Sequence, residues 1–273
     1  MKKFLLVLGV VLTFALLLGA AAYVLLFMED PVPEEVGQSA SIAEKVSKPK
    51  NADVRDQAET QADILEMLDY ETRKNRDTVG WLVVPGTKIN NSVLQSYDNA
   101  VYLRQDERRE YDLYGCYFVD YECSVGSREE LSPNTIIYGH SDLKDNPDGP
   151  RFSQLYHFTD ADFARETPVI QFSTLDGFMY WEVFAVLYTE LNDSFISPDP
   201  PEGIDRMAAA AMEKSLYDYG VEVGPQDHVL LLSTCTGSYG ANDTNHRFVV
   251  LAKLLPEDAE IPTQAQLEVR TES

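Results

Sequence analysis

Apolar residues recur at intervals of three and four between Asp53 and about Arg76, with charged residues between them. This spacing places the apolar side chains on one face, so it predicts an amphipathic helix that packs on a core. The polar face is mixed and acidic rather than basic, which argues against a helix that lies on a membrane surface. The apolar positions are Val54, Ala58, Ala62, Leu65 and Leu68.

Eight short apolar stretches after this helix have the length and the bounding turn residues of β-strands. They do not alternate regularly with helices, which predicts a mostly β domain whose mostly antiparallel strands close into an eight-stranded barrel. The predicted strands are Gly80–Val84, Ser92–Gln95, Leu113–Asp120, Thr135–Tyr138, Val169–Ser173, Phe178–Tyr188, Val229–Thr234 and Arg247–Leu254.

One long connection, from Asn192 to Asp227, separates the sixth and seventh predicted strands. It contains a proline cluster, followed by apolar residues at helical spacing between Gly203 and Tyr217. This pattern predicts a helical insertion before the seventh strand. We expect the inserted helix to lie near the strand ends, as a wall or a lid.

The amino terminus predicts attachment to a membrane. Two lysines precede an uninterrupted apolar run from Phe4 to Met28, and roughly 25 residues at about 1.5 Å each span a hydrocarbon core of about 30 Å. The lysines favour a cytoplasmic amino terminus, so the rest of a single-pass protein would be extracellular. A cleaved signal peptide is the alternative, although its apolar region is usually only about 7–15 residues long.

These patterns divide the chain into four parts. Residues 1–30 form the predicted membrane anchor, and residues 31–52 are rich in Pro, Glu, Ser and Lys, which is typical of a flexible stalk. Residues 53–257 form the predicted folded domain, and residues 258–273 a polar carboxyl-terminal tail.

Charge and cysteine content narrow the possible functions. The formal net charge of −23 argues against a nucleic-acid partner, which would need a basic face. An odd spacing puts Cys116 and Cys123 on opposite faces of a continuous strand, which argues against a disulfide between them. With three cysteines in all, Cys235 is therefore expected to be a free thiol.

The seventh strand ends in Ser233, Thr234 and Cys235, and the eighth begins with Arg247 after a polar loop. If these strands are antiparallel neighbours, a thiol lies beside a fixed positive charge. The best candidate for a base is His140, which follows a glycine at the exit of the fourth strand, and His246 is its main competitor. A buried structural cysteine is the alternative interpretation of Cys235.

Several segments, in this order along the chain, resemble class B sortases, which are membrane-anchored cysteine transpeptidases of Gram-positive bacteria. The resemblance covers roughly residues 55–255, including the helix before the barrel and the helical insertion that distinguish class B. The segments are Gly80-Trp81-Leu82 with Pro85-Gly86-Thr87, Asn134 to His140, Leu232 to Cys235, and Arg247 to Val250. The chain departs from the family at Leu231, where a threonine is expected, and in a long loop after Cys235. These departures bear on substrate preference rather than on the catalytic residues.

The resemblance implies that Cys235 attacks a threonine carbonyl in a carboxyl-terminal sorting signal, of the Asn-Pro-x-Thr kind, of a secreted protein. His140 would act as general acid and base, and Arg247 would either stabilise the oxyanion or hold the substrate backbone. An amine of the cell wall or of a pilin would accept the acyl group. The resemblance also puts Ser233 and Thr234 beside the substrate, although the Ser233 hydroxyl has the alternative of bonding the strand backbone. No cofactor or metal is required.

Two alternatives remain at this point. An extracytoplasmic cysteine hydrolase would use similar residues, but in papain-like enzymes the cysteine precedes the histidine, and here the order is reversed. A membrane-anchored binding module would not need a reactive Cys235. A calcium site at Asp142, Asp145 and Asp148 is disfavoured because the ligand spacing fails, which leaves a solvated acidic loop as the better interpretation.

Overall fold

The computed structural model describes residues 54–270, apart from residues 143, 241, 242 and 244. The predicted membrane anchor and stalk lie outside these residues. Within the described part of the chain, the helices are all too short or too polar to cross a membrane.

The described chain contains three α-helices, two 3₁₀ helices and ten β-strands. The α-helices are α1 (Val54–Lys74), α2 (Ala161–Glu166) and α3 (Ile204–Lys214), and the 3₁₀ helices span Val101–Leu103 and Arg151–Thr159. The strands are β1 (Thr78–Val83), β2 (Asn90–Leu94), β3 (Tyr117–Val119), β4 (Asn134–Tyr138), β5 (Val169–Ser173), β6 (Tyr180–Glu190), β7 (Tyr217–Asp218), β8 (Val229–Cys235), β9 (His246–Leu254) and β10 (Glu268–Val269).

Eight of these strands form a closed barrel in the order β1-β2-β3-β4-β8-β9-β6-β5, which confirms the predicted fold. The β2–β3 and β4–β8 pairs are parallel, and the other barrel pairs are antiparallel. Parallel neighbours need a crossover connection. The chain supplies one through the 3₁₀ helix Val101–Leu103, and another through the long excursion that separates β4 from β8.

The third predicted strand, Leu113–Asp120, is wrong in its first half. The strand begins only at Tyr117, because the backbone turns at Gly115, which has a φ of 54°. A side chain is also excluded there, since a Cβ on Gly115 would lie 2.1 Å from the Tyr102 carbonyl oxygen. The left-handed conformation and the close backbone approach both require glycine.

Helix α1 packs on the outside of the barrel. Its Ile64 and Leu68 are buried in one cluster with Trp81 and Val83 of β1. The buried face of helix α1 is therefore rotated slightly from the predicted one, because Leu65 is only half-buried while Ile64 is buried. The barrel interior holds the main core, whose largest buried side chains include Trp181, Phe172, Phe184 and Phe248.

The predicted helical insertion is present as α3, which buries one apolar face of the helix in the main core. Its carboxyl end is fixed to β6, where Leu216 N–H donates to the Val186 carbonyl and the Ser215 hydroxyl accepts from Val186 N–H. The helix ends at Lys214, and Tyr217 starts the short strand β7 instead of closing the helix as predicted. A role for α3 as a lid stays a prediction.

The segment predicted as a polar tail packs against the domain. Its strand β10 pairs with β7, and Leu267 before that strand is buried. Ala265 N–H donates to the carbonyl of Arg165 in α2. These contacts show that the folded part of the chain extends at least to Val269. The prediction missed them because they involve residues that are distant in the sequence, which local composition does not reveal.

Candidate active site

Three adjacent barrel strands bring the predicted catalytic residues together. Cys235 ends β8, Arg247 is the second residue of β9, and His140 lies two residues beyond β4. The parallel β4–β8 pairing sets Tyr138 opposite Ser233, and a bond of 3.2 Å from Gly139 N–H to the Ser233 carbonyl continues it. Since Tyr138 is level with Ser233 in parallel strands, this register places His140 level with Cys235.

Cys235 and Arg247 are direct partners in the antiparallel β8–β9 ladder. Leu254 N–H donates to the His228 carbonyl at 2.9 Å, so these two residues form a hydrogen-bonded pair. From this pair to Cys235 the ladder has no register shift, and hydrogen-bonded pairs alternate with non-hydrogen-bonded pairs. The alternation makes Cys235 and Arg247 a non-hydrogen-bonded pair, the kind whose Cα atoms are only about 4.5 Å apart and whose side chains share one face. The predicted pairing of a thiol with a fixed cation is confirmed.

His140 is held by a backbone carbonyl. Its Nε2 lies 2.9 Å from the Leu103 carbonyl oxygen. Since a carbonyl oxygen only accepts, Nε2 carries a proton, and Nδ1 is left as the nitrogen that can exchange one. Burial lowers the pKa of His140 below its usual value, although the bond to Leu103 acts in the opposite direction.

The Cys235 carbonyl is held by two hydroxyl groups that the sequence did not indicate. The Ser141 hydroxyl donates to the Cys235 carbonyl at 2.6 Å, and the Tyr156 hydroxyl donates to the same oxygen at 2.8 Å. Both donors are buried. Because Cys235 has no ladder bond to Arg247, these hydroxyls satisfy a carbonyl that points toward the loop of His140.

The acidic loop after His140 is not simply solvated, and that prediction is wrong for Asp145. The Asp145 carboxylate accepts hydrogen bonds from the Thr236 hydroxyl at 2.7 Å, from Gly237 N–H at 2.8 Å and from the Ser238 hydroxyl at 2.6 Å. Asp148 is exposed, in keeping with the prediction. Asp145 differs from Asp148 because its hydrogen-bond partners lie almost a hundred positions later in the sequence, where the local pattern could not indicate them.

Ser233 and Thr234 differ from the remainder of the site because they are buried. Their exposed fractions are 1% and 2%, and neither hydroxyl makes a hydrogen bond with any described residue. Such burial argues against contact between these side chains and a substrate, and the alternative of a bond from Ser233 to the strand backbone is not observed either. The exposed residues at this edge belong instead to the loop after Cys235, including Ser238.

The other histidines have different surroundings. The Nδ1 atom of His246 lies 2.8 Å from Asp243, and its ring stacks on Tyr239 with centroids 3.7 Å apart. Neighbouring positions in a strand face opposite sides, so His246 does not share the face of Arg247. His157 stacks on Phe163 and His228 lies beside the Ser132 carbonyl. His140 is therefore the histidine of this site.

The three cysteines are free, as predicted for Cys116 and Cys123. Both of these are buried, and burial raises the pKa of the Cys116 thiol well above its usual range and that of Cys123 to about 12. Cys235 is only half-buried and is the accessible thiol of the set. In the described part of the chain, no three His, Cys, Asp or Glu residues are grouped so that they could hold a metal ion.

Comparison with known proteins agrees with the geometry. No protein-family model matches the chain. The chain is 32% identical over 183 residues to sortase B of Staphylococcus aureus, covering 66% of this chain and 71% of that protein. It is 35% identical over 189 residues to sortase B of Listeria monocytogenes, covering 68% and 69%. The solved Staphylococcus aureus sortase B–substrate complex superposes with a TM-score of 0.65 at 26% identity, covering 80% of this chain and 95% of the other. The chain belongs to the sortase B family, and it is a sortase enzyme.

Proposed function

We propose that this protein is a membrane-anchored cysteine transpeptidase that cleaves a carboxyl-terminal sorting signal after threonine and transfers the protein to an amine. The observation that carries the proposal is the direct pairing of Cys235 with Arg247, with His140 two residues beyond the end of the neighbouring strand β4. A thiol, a fixed cation and a proton-exchanging imidazole are the groups that acyl transfer through a thioester needs.

In the first half of the reaction, the Cys235 thiol gives its proton to His140 and its sulfur attacks the threonine carbonyl carbon, so that a carbon–sulfur bond forms and the carbonyl oxygen takes the negative charge. The tetrahedral intermediate collapses with cleavage of the carbon–nitrogen bond, and His140 gives a proton to the departing amine. Because Nε2 is committed to the Leu103 carbonyl, Nδ1 is the atom that delivers this proton. The product is a thioacyl-enzyme on Cys235.

In the second half, an incoming amine attacks the thioester carbon. His140 Nδ1 takes the proton that the amine loses, the carbon–sulfur bond breaks, and the proton passes from His140 to the Cys235 sulfur, which restores the thiol and the neutral imidazole. The depressed pKa of His140 suits this half, since the imidazole has to be neutral to accept a proton. Transfer competes with hydrolysis, so the acceptor amine has to reach the thioester before water does.

Arg247 stabilises the negative charge on the carbonyl oxygen in both tetrahedral intermediates, or holds the substrate backbone next to it. Its Nη1 donates to the His246 carbonyl at 2.9 Å. That bond restrains the guanidinium beside Cys235 before substrate arrives, and such preorganisation is what makes charge stabilisation effective in catalysis.

The substrates are secreted proteins whose sorting signals are of the Asn-Pro-x-Thr kind, and the acceptor is an amine of a peptidoglycan precursor or of a pilin. The solved complex of Staphylococcus aureus sortase B with a substrate supports the proposal that this chain also binds a substrate. The apolar run Phe4 to Met28 supports a single-pass anchor with the catalytic domain outside the cell.

The proposal is tested with the full chain in detergent micelles, a panel of pentapeptide sorting signals, and triglycine as the amine. Mass spectrometry should show cleavage after threonine and a product joined to triglycine. Cys235→Ala should abolish both, while Cys116→Ala, which alters a buried thiol, should retain them. Cleavage without transfer would favour a cysteine hydrolase. An intact peptide with every signal would contradict the proposal and favour a binding module.

A further inference from the structure

Two loops carry the groups that exchange protons in this site. The histidine loop comprises residues 140–142 and 144–149, and the cysteine loop comprises residues 235–240, beginning with the last residue of β8. The last backbone hydrogen bond of the β4–β8 pairing joins Gly139 to Ser233. Beyond it, the sheet no longer fixes the separation of His140 and Cys235, which therefore depends on contacts between the loops.

Side chains of the histidine loop make those contacts. Ser141 donates to the Cys235 carbonyl, and Asp145 accepts from three consecutive residues, Thr236, Gly237 and Ser238. Among the described residues, these are the hydrogen bonds that join the two loops. Asp145 supplies three of the four.

Both carboxylate oxygens of Asp145 are used. Oδ1 accepts from Gly237 N–H, and Oδ2 accepts from the Thr236 and Ser238 hydroxyls. Thr236 is fully buried, and Asp145 is the acceptor for its hydroxyl proton, while the hydroxyl oxygen accepts from Ser238 N–H. Burial raises the pKa of Asp145, but hydrogen bonds from Gly237, Ser238, Thr236 and Tyr156 together outweigh burial, and the net change is a lowered pKa. The group is therefore a carboxylate at neutral pH.

The backbone at Asp145 also indicates a specified position. Its φ is 51°, in the left-handed region, where aspartate and asparagine are the side chains best tolerated after glycine. Asparagine at this position keeps the backbone preference and the side-chain shape. It loses the charge, and its amide nitrogen would face a donor in place of one carboxylate oxygen.

We propose that Asp145 is a positioning residue for the transfer reaction, which fixes the separation and orientation of His140 and Cys235 by binding the cysteine loop to the histidine loop. This inference rests on the proposed function of the same site. Asp145 is linked to Cys235 through Thr236, Gly237 and Ser238, so it acts on catalysis through geometry. A displacement of about 1 Å between reacting groups can reduce a rate about a hundredfold.

The principal test compares Asp145→Asn with Asp148→Asn in the full chain. Asp148 lies on the same loop, is exposed, and its carboxylate makes no hydrogen bond or ion pair with a described residue, so its substitution matches the loss of charge. We expect Asp145→Asn to lower kcat about 100-fold with KM within about 3-fold of wild type. Asp148→Asn should keep kcat within about 2-fold, and Asp145→Glu, which keeps the carboxylate, should recover about tenfold over Asn.

A second readout does not depend on the sorting reaction. The rate at which iodoacetamide alkylates Cys235 is measured against pH, because a thiol held beside His140 responds to the titration of that imidazole. The wild-type profile should show an inflection where His140 titrates, and Asp145→Asn should weaken it. A purely structural role of Asp145 would lower stability and leave this profile unchanged in the folded protein.

The outcomes separate the two proposals. If wild type cleaves no peptide, the proposed function fails, and the alkylation profiles still decide the role of Asp145. If Asp145→Asn behaves like Asp148→Asn in both readouts, the positioning role is overturned. If Asp145→Asn does not fold, Ser238→Ala tests the positioning role in its place. Ser238 is exposed, and removal of its hydroxyl removes one of the three hydrogen bonds that Asp145 accepts. For Ser238→Ala, a kcat reduced about 3-fold or more together with a weakened inflection in the alkylation profile would support the positioning role of Asp145. A wild-type kcat and a wild-type alkylation profile would refute it.

Discussion

Removing both hydroxyl donors to the Cys235 carbonyl should destabilise the protein by more than the sum of the two single removals. The carbonyl accepts from Ser141 and from Tyr156, and both side chains are almost fully buried. After Ser141→Ala or Tyr156→Phe alone, one donor remains, so each single change should cost about 1 kcal/mol. After both, the Cys235 carbonyl has lost both side-chain donors, and an acceptor left without a partner adds a penalty of about 1–3 kcal/mol.

The free energy of unfolding is measured by denaturant titration, followed by tryptophan fluorescence. Both tryptophans, Trp81 and Trp181, belong to barrel strands, so the signal reports the barrel. A control is Tyr219→Phe, because the Tyr219 hydroxyl is buried and makes no hydrogen bond with the described residues. That change should be neutral or slightly stabilising. Additivity of Ser141→Ala and Tyr156→Phe within about 0.5 kcal/mol would refute the reasoning.

Three further predictions concern Arg247, His140 and helix α1. Arg247→Gln should lower kcat about 10²–10³-fold if the guanidinium stabilises the oxyanion, whereas a rise in KM alone in steady-state peptide cleavage would assign it to substrate binding. In the Cys235→Ala protein, NMR titration should give His140 a pKa below about 6.5, because burial disfavours the imidazolium. The contribution of His140 to stability is then present above that pH and is lost as the pH falls, since the unfolded chain binds the proton more readily. A titration midpoint above about 6.5 would contradict this. Leu68→Ala should cost about 2–5 kcal/mol, since Leu68 is fully buried between helix α1 and the barrel. The exposed control Glu66→Ala should stay within about 0.5 kcal/mol in the same denaturation experiment.

The barrel and the meeting of Cys235, Arg247 and His140 at one end of neighbouring strands could be predicted from the sequence, because both follow from local patterns. Apolar runs bounded by turn residues predict strands, and the ends of β8 and β9 placed Cys235 opposite Arg247 once the two strands were paired. The position of His140 followed from the same reasoning about a strand exit. Family resemblance then agreed with what the residues already indicated.

The features that were missed depend on contacts between distant parts of the chain. The strand break at Gly115 reflects a backbone passing close to Tyr102, and the acceptor role of Asp145 needs Thr236, Gly237 and Ser238. The burial of Ser233 is likewise set by neighbouring strands. Sequence neighbours alone do not reveal the burial of a polar side chain. The prediction therefore assigned Asp145 to a solvated loop and Ser233 to a substrate cleft.

The most direct test of the central claim is the intact mass of the protein after brief exposure to a sorting-signal peptide without an acceptor amine. A Cys235 nucleophile predicts an adduct whose mass equals the peptide up to its threonine, less one water. Peptide mapping should place this adduct on Cys235, and triglycine or hydroxylamine should release it. Release of the cleaved peptide with no adduct on the wild-type protein, and equal release by Cys235→Ala, would contradict the claim that this sortase acts through a thioester at Cys235.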